Sequence, residues 1–458
     1  MISLAHLDVG TRVTPSSTGE PPCTRGRPTG NGHHGMPPTS TMIGRAAICT
    51  TIAVAAMMTL TACAAVVTVV PGSTRRICEL TGEDSINRTE TRFKLRGTDL
   101  GASFQGDELT NVIYFLFGDT VPVGAFSDAR PDGGDSIAFT TPADPESCIH
   151  LDFFRAPDRG YISPRVNDVS LGRFEVPSGG FFAQELTYLL FTTLAFGDPF
   201  APHAAVLAHG GTFINNTLTF QRLYELPRDK FINVSPVTVD QEWHPSRQPT
   251  SVLLFGTGEY RRSRDVFLAL LPVPGVENPA NLRYFAGVDS VGLPRWVPDP
   301  AQARSVFARS GPPCMGELSV TFNRFIGNWL MLYQCDPPRG INFRVADQPW
   351  GPWSAPRLLF DPWKDGGYCT FMHAVEDGSV RCPSGSPNPK DDLVIGGPAR
   401  WGGEYGPYVI DTYSRGDEKN RTTTIYFVMS TWNPYQVVLM KSTLRARCPI
   451  TGCTAPRR

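Results

Sequence analysis

Apolar, β-branched and aromatic residues in this chain are gathered into short runs, each bounded by Gly, Pro, Asp, Asn or other turn-forming residues. Five runs stand out, and they occupy positions 111–120, 185–194, 250–260, 328–335 and 423–432. They are too short for ordinary helices of an exported protein and lack a helical period. We therefore predict that each run is a β-strand.

Each strong run has a companion segment on either side. The preceding companions lie at 97–104, around Phe181, and at 231–239, 315–323 and 405–410. The following companions lie at 135–141, 204–210, 265–273, 341–347 and 436–443. Five units of three strands, with a variable fourth strand, predict an all-β, five-bladed β-propeller that forms a single domain. A pair of β-sandwiches is the alternative, but the regular spacing along the chain favours the propeller.

The predicted propeller domain spans residues 91–446 of the 458, and residues 447–458 form a C-terminal tail. The first 41 residues are rich in Pro, Gly, Thr and His, which indicates either disorder or a gene start placed too early. Residues 64–90 are predicted to be a tether that leads into the propeller.

Residues 42–63 have the pattern of a lipoprotein-type signal peptide. Arg45 precedes a long apolar run, and the run ends in Leu60-Thr61-Ala62-Cys63, which resembles a lipobox. Lipidation of Cys63 would hold the exported protein at the membrane of the cell envelope. An uncleaved anchor and free secretion are the alternatives, because apolar residues continue to Val70.

Cysteine usage agrees with export. The chain has 11 cysteines, and the three in the first 63 residues leave an even number in the mature part, as expected of disulfides in an oxidising compartment. We predict that a hairpin joins Cys314 to Cys335, and that Cys369 and Cys382 are local partners. The remaining four cysteines allow three pairings, and they are Cys78, Cys148, Cys448 and Cys453. A disulfide between Cys78 and a C-terminal cysteine would hold the ring closed.

Composition narrows the class of function. Hydrophobic residues make up 41% of the chain and charged residues 19%, and there are 44 Gly and 42 Pro, a mixture that suits short strands and many turns. The formal net charge of -1 offers no basic face for nucleic acid. The chain contains no C-x-x-C pair, no H-E-x-x-H, no G-x-S-x-G and no phosphate-binding glycine loop, so we expect no metal and no cofactor.

Two aspartates are the leading candidates for chemistry. In each blade the innermost strand and its neighbour are antiparallel, so the start of the first and the end of the second lie at one end of the central channel, here called the mouth. Asp99 (GTDLG) is at such a start and Asp119 (FGDT) at such an end, on one hairpin and without adjacent basic residues. Each alone is typical of a turn former, but the pair favours a catalytic role.

Further residues at equivalent positions would surround the pair. They are Glu259, Tyr260, Arg261, Glu317, Tyr405, Tyr408 and Trp432. Hydrolysis of a glycosidic bond needs one carboxylic acid and one carboxylate whose pKa values are pushed apart. Aromatic rings offer flat surfaces for sugar faces, and arginine can bind hydroxyl groups. The predicted cluster therefore favours a glycoside hydrolase.

Several segments together resemble a known family. They are GTDLGASF, YFLFGDT, GTGEYRRS, GELSVTFN, WLMLY, PWGPWS and STWNPYQV. The combination, over about residues 90–445, is similar to an actinobacterial family once known only as a domain of unknown function and now called glycoside hydrolase family 183. The resemblance implies a five-bladed propeller and an endo-acting D-arabinofuranosidase that cleaves the D-arabinan of arabinogalactan and lipoarabinomannan.

The family's pair of aspartates matches Asp99 and Asp119 of this sequence. We favour an inverting course, with Asp99 as base and Asp119 as acid. The leading hypothesis is thus an envelope-anchored endo-D-arabinanase whose partners are the polysaccharide and, through its lipid, the membrane. A non-catalytic sugar-binding propeller is the alternative, followed by a furanosidase for another pentose or for galactofuranose.

Overall fold

The computed structural model describes most of the chain after residue 65. The described residues are 66–106, 111–124, 134–157, 160–195, 201–214, 216–240, 250–259, 263–307, 314–335, 339–376, 379–380, 382 and 402–447. They all belong to one unit of the chain. The predicted start and signal segments, Cys63, Tyr260, Arg261, and all but the first residue of the tail lie outside the described residues.

The chain enters the fold through two short strands and one helical turn, which precede the first blade. These are β1 (Val66–Val69), β2 (Arg75–Glu79) and α1 (Thr89–Phe93). The first blade contains β3 (Leu95–Gln105), β4 (Ile113–Pro122), β5 (Ser136–Thr140) and β6 (Asp152–Phe153) in sequence order across the sheet. A separate two-stranded ladder follows it and consists of β7 (Arg155–Ala156) and β8 (Gly160–Tyr161).

The second and third blades are five-stranded sheets. The second contains β9 (Pro164–Val166), β10 (Pro177–Ala183), β11 (Leu186–Leu194), β12 (Pro202–Ile214) and β13 (Thr217–Glu225), with β9 added in parallel at the outer edge. The third contains β14 (Asn233–Asp240), β15 (Thr250–Thr257), β16 (Val266–Pro272), β17 (Arg283–Val288) and β18 (Pro294–Val297).

The fourth blade has four strands, and a small hairpin separates it from the fifth. The blade contains β19 (Leu318–Asn323), β20 (Asn328–Cys335), β21 (Gly340–Ala346) and β22 (Arg357–Phe360), and the hairpin is β23 (Val375–Glu376) with β24 (Ser379–Val380). The fifth blade contains β25 (Glu404–Val409), β26 (Arg415–Asp417), β27 (Thr422–Thr431) and β28 (Gln436–Arg447). Short 3-10 turns occupy Pro145–Ser147, Pro279–Asn281, Pro300–Gln302 and Asp411–Tyr413.

The five inner strands close into a ring. Each packs against the next in the order β3, β10, β14, β19, β25, and β25 packs back against β3. Within each blade the inner strand pairs antiparallel with the second strand. The predicted five-bladed β-propeller is therefore confirmed, and the starts of the inner strands share the mouth with the ends of the second strands.

Packing between blades explains why the strong runs are apolar on both faces. Along β27, Ile425 and Phe427 pack into a cluster with the fourth blade, whereas the alternate residues Tyr426 and Val428 pack into a cluster with the first. Successive side chains of a strand point to opposite faces of the sheet, so a blade that lies between two other blades buries the side chains on both of its faces. Full burial of each such side chain stabilises the fold by about 1.5–3 kcal/mol.

The ring is closed by strands from both ends of the described chain. Both β1 and β2 pair antiparallel with β28, so the fifth sheet contains the first and the last strand. Residues 66–79 are therefore part of this blade, where a tether over 64–90 was expected. Leu80 and Asn87 are fully buried, and the Asn87 side chain bonds to the backbone of Leu80, Ile149 and Leu151.

Among the residues that the structure describes, three disulfides join segments that the fold brings together. Two of them, Cys314–Cys335 and Cys369–Cys382, confirm the sequence-based pairing. The third corrects it, because Cys78 is bonded to Cys148 of the first blade and so is not available for a C-terminal cysteine. Cys448 and Cys453 lie outside the described residues. Disulfides of this kind are typical of exported proteins.

Candidate active site

Asp99 and Asp119 lie on the hairpin of β3 and β4, at the mouth. In the register of this hairpin Asp99 is paired with Gly118, the residue before Asp119. The two carboxyl groups are close enough that the charge of Asp119 raises the pKa of Asp99. The structure therefore brings together the two aspartates that the sequence singled out.

Irregular backbone sets the orientation of both aspartates. The pairing of β3 with β4 shifts register on both sides of Asp99, between Gly97 and Asp99 and between Leu100 and Ala102. Leu100 has φ 63° and Asp119 has φ 40°, in the left-handed region that side chains with a Cβ rarely adopt. Bulges and strained residues of this kind re-aim side chains and cluster at functional sites.

Asp99 is almost completely buried, with 5% of its surface exposed. Its Oδ2 accepts a hydrogen bond of 2.9 Å from the hydroxyl of Tyr405, and Tyr435 also bonds to its carboxyl group. Within the described part of the chain, Oδ1 has no hydrogen-bond partner. Burial first, and then the charge of Asp119, raise the pKa of Asp99 well above its ordinary value, although the two tyrosine bonds oppose the shift.

Tyr435 connects the two aspartates. Its ring is 1% exposed, and its hydroxyl donates a hydrogen bond of 3.1 Å to the backbone carbonyl of Asp119 while also contacting the carboxyl group of Asp99. Burial and the neighbouring carboxylates raise the pKa of Tyr435 and of Tyr405 well above the ordinary tyrosine value. Both hydroxyls therefore keep their protons and act as donors at any physiological pH.

Asp119 is more accessible than Asp99 and has a different set of partners. Its Oδ1 accepts a hydrogen bond of 3.0 Å from the backbone N–H of Phe174, in the segment that precedes β10. Its own backbone N–H donates to Oδ1 of Asp135, which is 1% exposed. The pair therefore combines a buried carboxyl group whose pKa is raised with a more accessible one that accepts a backbone hydrogen bond.

A third carboxyl group belongs to the same cluster. Glu317 precedes β19 and is 8% exposed. Its charge contributes to the raised pKa values of Asp99 and Tyr405. Glu259, by contrast, is an exposed residue just after β15, and its backbone carbonyl accepts a hydrogen bond from Thr257.

The aromatic candidates divide between the site and the core. Tyr405 contacts Asp99 directly, as described. Trp432 is 7% exposed, and its ring meets that of Tyr435 edge to face at 6.0 Å, so it supports the tyrosine that bonds to Asp99. Tyr408 is 5% exposed and packs in the buried cluster between the fifth and first blades, which also contains Tyr405 and Trp432.

Sequence reasoning missed Tyr435, Asp135 and Phe174 as parts of this site. A signal for Tyr435 was present, because the turn between β27 and β28 ends a second strand and so lies at the mouth. Asp135 immediately precedes the third strand of the first blade, and Phe174 acts through its backbone. No sequence pattern predicts the role of either residue.

The described residues contain no group of three or more His, Cys, Asp or Glu side chains arranged to hold a metal ion. None of the helices among them has the length and apolar character needed to cross a membrane. The chemistry that the cluster can perform with its own side chains is proton transfer, in which one carboxyl group gives a proton and another removes one.

Comparisons with known proteins give a family and several distant structural likenesses. A family model described as "Domain of unknown function (DUF4185)" matches residues 84–441. A comparison with curated proteins gave no match.

Solved structures similar to this chain include three neighbours at very low identity. A GH43_1 enzyme from Xanthomonas citri is 11% identical, with 80% of this chain and 94% of that one covered and a TM-score of 0.37. An exo-β-1,3-galactanase from Phanerochaete chrysosporium is 8% identical, with 82% and 64% covered and a TM-score of 0.40. A β-fructofuranosidase from Schwanniomyces occidentalis is 10% identical, with 81% and 60% covered and a TM-score of 0.37. Likeness at this level says nothing about the reaction of this chain.

Proposed function

Because this chain belongs to the DUF4185 family, whose description leaves the function open, we propose its reaction from the site: endo-acting hydrolysis of a D-arabinofuranan. The observation that carries the proposal is that Asp99 and Asp119 lie side by side. Burial of Asp99 and the charge of Asp119 both raise the pKa of Asp99. Two neighbouring carboxyl groups held in different protonation states are the machinery that glycoside hydrolysis requires.

The environments of the two aspartates favour distinct roles. Because burial favours the protonated form of Asp99, this residue is the proton donor and gives its proton to the glycosidic oxygen as the C1–O bond breaks. Asp119 is the accessible carboxylate and takes a proton from the water whose oxygen attacks C1. This is the inverting course expected from the sequence, with the acid and base roles exchanged relative to that expectation, because the deeper burial of Asp99 favours its protonated form.

The neighbouring groups maintain this difference. Tyr405 and Tyr435 keep their protons and fix the orientation of the Asp99 carboxyl group through hydrogen bonds. Glu317 adds negative charge that further favours the protonated form of Asp99. General acid and base groups of this kind each contribute about 10²–10⁴-fold to the rate.

The substrate rests on the resemblance to glycoside hydrolase family 183, which includes segments on both sides of the site. GTDLG and FGDT carry the two aspartates, and STWNPYQV carries Trp432 and Tyr435. We therefore propose the D-arabinan of arabinogalactan and lipoarabinomannan as the polymer. The lipobox-like segment that ends at Cys63 supports a place at the outer face of the envelope membrane, where such polymers are found.

The direct test is to incubate the purified protein with D-arabinan and measure new reducing ends. We expect oligosaccharide products from internal cleavage, and products of inverted anomeric configuration when the reaction is followed by NMR. Asp99→Asn and Asp119→Asn should each reduce cleavage by at least about 10²-fold. Binding of D-arabinan to both variants should persist, because the substitutions keep the size and hydrogen-bonding capacity of the side chains.

Two outcomes would contradict this function. Cleavage by both aspartate variants at the wild-type rate would remove the proposed site. Binding of D-arabinan by the wild-type protein without any cleavage would favour a non-catalytic sugar-binding propeller. A panel with other furanose polymers, including galactofuranan, separates the proposed substrate from related ones.

A further inference from the structure

Trp363 is an aromatic side chain whose exposure the fold does not explain. It is 50% exposed, in the loop that follows β22. Strands alternate in direction across the fourth blade, so the fourth strand ends at the same side as the second, which is the side of the mouth. Trp363 therefore lies on the face of the propeller that carries Asp99 and Asp119.

The loop holds this tryptophan in place before any ligand binds. Oδ1 of Asp361 accepts hydrogen bonds from the backbone N–H groups of Trp363, at 3.0 Å, and Lys364, at 3.3 Å. Asp365 accepts a 2.7 Å hydrogen bond from the backbone of Asp361. The ring of Trp363 also packs against that of Tyr368, with centroids 4.8 Å apart. A preorganised exposed ring binds a partner with little loss of conformational entropy.

A series of contacts leads from Trp363 to Glu404, which is the neighbour of Tyr405 in the sequence. The hydroxyl of Tyr368 and the guanidinium of Arg339 both donate to the carbonyl of Gly402, at 3.2 and 2.8 Å. Arg339 lies 5.7 Å from the centre of the Tyr368 ring and forms an ion pair of 3.5 Å with Glu404. The residue after Glu404 is Tyr405, which bonds to Asp99.

We propose that Trp363 is a stacking platform for a sugar ring of the bound polysaccharide, remote from the bond that is cleaved, and that Arg339 binds hydroxyl groups between the two positions. This inference rests on the proposed function and adds a distal subsite to it. The C–H face of a sugar is apolar and flat, which matches the exposed indole, while its hydroxyl groups match the guanidinium of Arg339, whose side chain is 38% exposed and is held by Glu404.

The experiment compares Trp363→Ala and Trp363→Phe with the wild-type protein on polymeric arabinan and on the shortest oligosaccharide that is cleaved. Phe322→Ala is the matched control, since Phe322 is another exposed aromatic residue, 38% exposed, near the end of β19 and hence at the opposite end of the channel. We expect Trp363→Ala to raise KM for the polymer about fivefold to tenfold with kcat nearly unchanged. Trp363→Phe should restore most of the affinity, and Phe322→Ala should leave KM unchanged.

Binding provides a readout that does not depend on catalysis. In the Asp119→Asn background, the affinity for polymeric arabinan is measured by calorimetry with and without Trp363→Ala. Weaker binding caused by Trp363→Ala supports the subsite even if the wild-type protein cleaves nothing, in which case only the proposed reaction fails. The subsite is overturned if Trp363→Ala changes neither the cleavage rate nor the affinity, or if Phe322→Ala reduces both as much as Trp363→Ala does. The proposed reaction then still stands.

Discussion

The hydroxyl of Tyr405 donates a 2.9 Å hydrogen bond to Oδ2 of Asp99, across 306 positions of the sequence. Asp99 lies on the inner strand of the first blade and Tyr405 on that of the fifth, and the two strands are in contact only because the ring is closed. The same seam contains Tyr435, at the start of the last strand. The candidate acid therefore depends on ring closure for its hydrogen-bond partners.

We predict that Tyr405→Phe moves the alkaline limb of the pH profile to higher pH. The Tyr405 hydrogen bond lowers the pKa of Asp99 against the effects of burial and of Asp119. Without the bond the pKa of Asp99 rises further, so the acid stays protonated to a higher pH. The loss of one hydrogen bond to the carboxyl group should also lower kcat about fivefold. The measurement is kcat/KM against pH, which reports groups of the free enzyme.

Tyr408→Phe is the control for this variant, because Tyr408 is a buried tyrosine of the same strand that packs in the core. It should leave the pH profile unchanged. A shift of the acid limb alone in Tyr405→Phe, or a shift of the alkaline limb to lower pH, would show that Asp99 is not the proton donor.

We predict that Asp99→Asn stabilises the protein at alkaline pH. An aspartate whose pKa is raised on folding contributes stability below its unfolded pKa, and this contribution is lost as the pH rises through the folded pKa. Asn carries no charge at any pH. The melting temperature of Asp99→Asn minus that of the wild type should therefore increase from about pH 4 to pH 8. Each unit by which the folded pKa exceeds the unfolded one adds about 1.4 kcal/mol to this gain.

Thermal unfolding across this pH range gives the answer without any substrate. Asp168→Asn, at an exposed position, serves as the control and should show no such trend. If the melting temperature of Asp99→Asn minus that of the wild type stays constant or decreases as the pH rises, Asp99 is ionised in the folded protein.

The sequence allowed the ring of blades to be predicted because its strands are buried on both faces. Residues 425–429 (IYFVM) are apolar or aromatic at every position, which is expected only where both sides of a sheet are covered, and the turn residues around the run indicated where the strand ends. Asp99 and Asp119 followed from the antiparallel hairpin alone. Their position at the mouth needed no knowledge of contacts between blades.

Other features depend on interactions that leave no local pattern. The bulges around Asp99 arise from three-dimensional fit, with the backbone N–H of Leu100 donating to the hydroxyl of Ser430 in the fifth blade. The strand β2 was missed because RRICE is neither apolar nor alternating, and it pairs with β28 only at the end of the chain. That pairing also places Cys78 beside Cys148, which explains the incorrect expectation of a C-terminal partner.

We predict that Gly118→Ala impairs catalysis because the site has no room for a side chain there. A Cβ at Gly118 would lie 2.9 Å from Oδ1 of Asp99 and 2.8 Å from a methyl group of Val176. The Asp99 carboxyl group would have to move. We expect a fall in kcat of at least about tenfold, together with about 1–3 kcal/mol of destabilisation from overpacking. Steady-state kinetics and thermal unfolding measure the two effects.

Gly403→Ala is the matched control, since it lies at the mouth beside Glu404. A Cβ there would have its nearest neighbour, Cβ of Trp432, at 3.5 Å, an ordinary contact. This variant should keep its rate and stability. Equal activity of Gly118→Ala and the wild type would show that the position of the Asp99 carboxyl group is not critical.

We predict that the disulfide between Cys78 and Cys148 stabilises the propeller more than the one between Cys369 and Cys382. The first closes a loop of 70 residues and the second a loop of 13. A cross-link restricts the unfolded chain more when its loop is longer, and these lengths give a difference of about 1.5 kcal/mol. The longer loop also joins β2, in the sheet that closes the ring, to the first blade.

Replacing both cysteines of each pair by alanine and measuring denaturant unfolding without reductant should show a loss of about 2–4 kcal/mol for Cys78 and Cys148. Reductant should bring the wild type below both oxidised variants, since it opens all three disulfides. Equal losses for the two pairs, or a larger loss for the shorter loop, would contradict the role of the Cys78–Cys148 link in holding the ring closed.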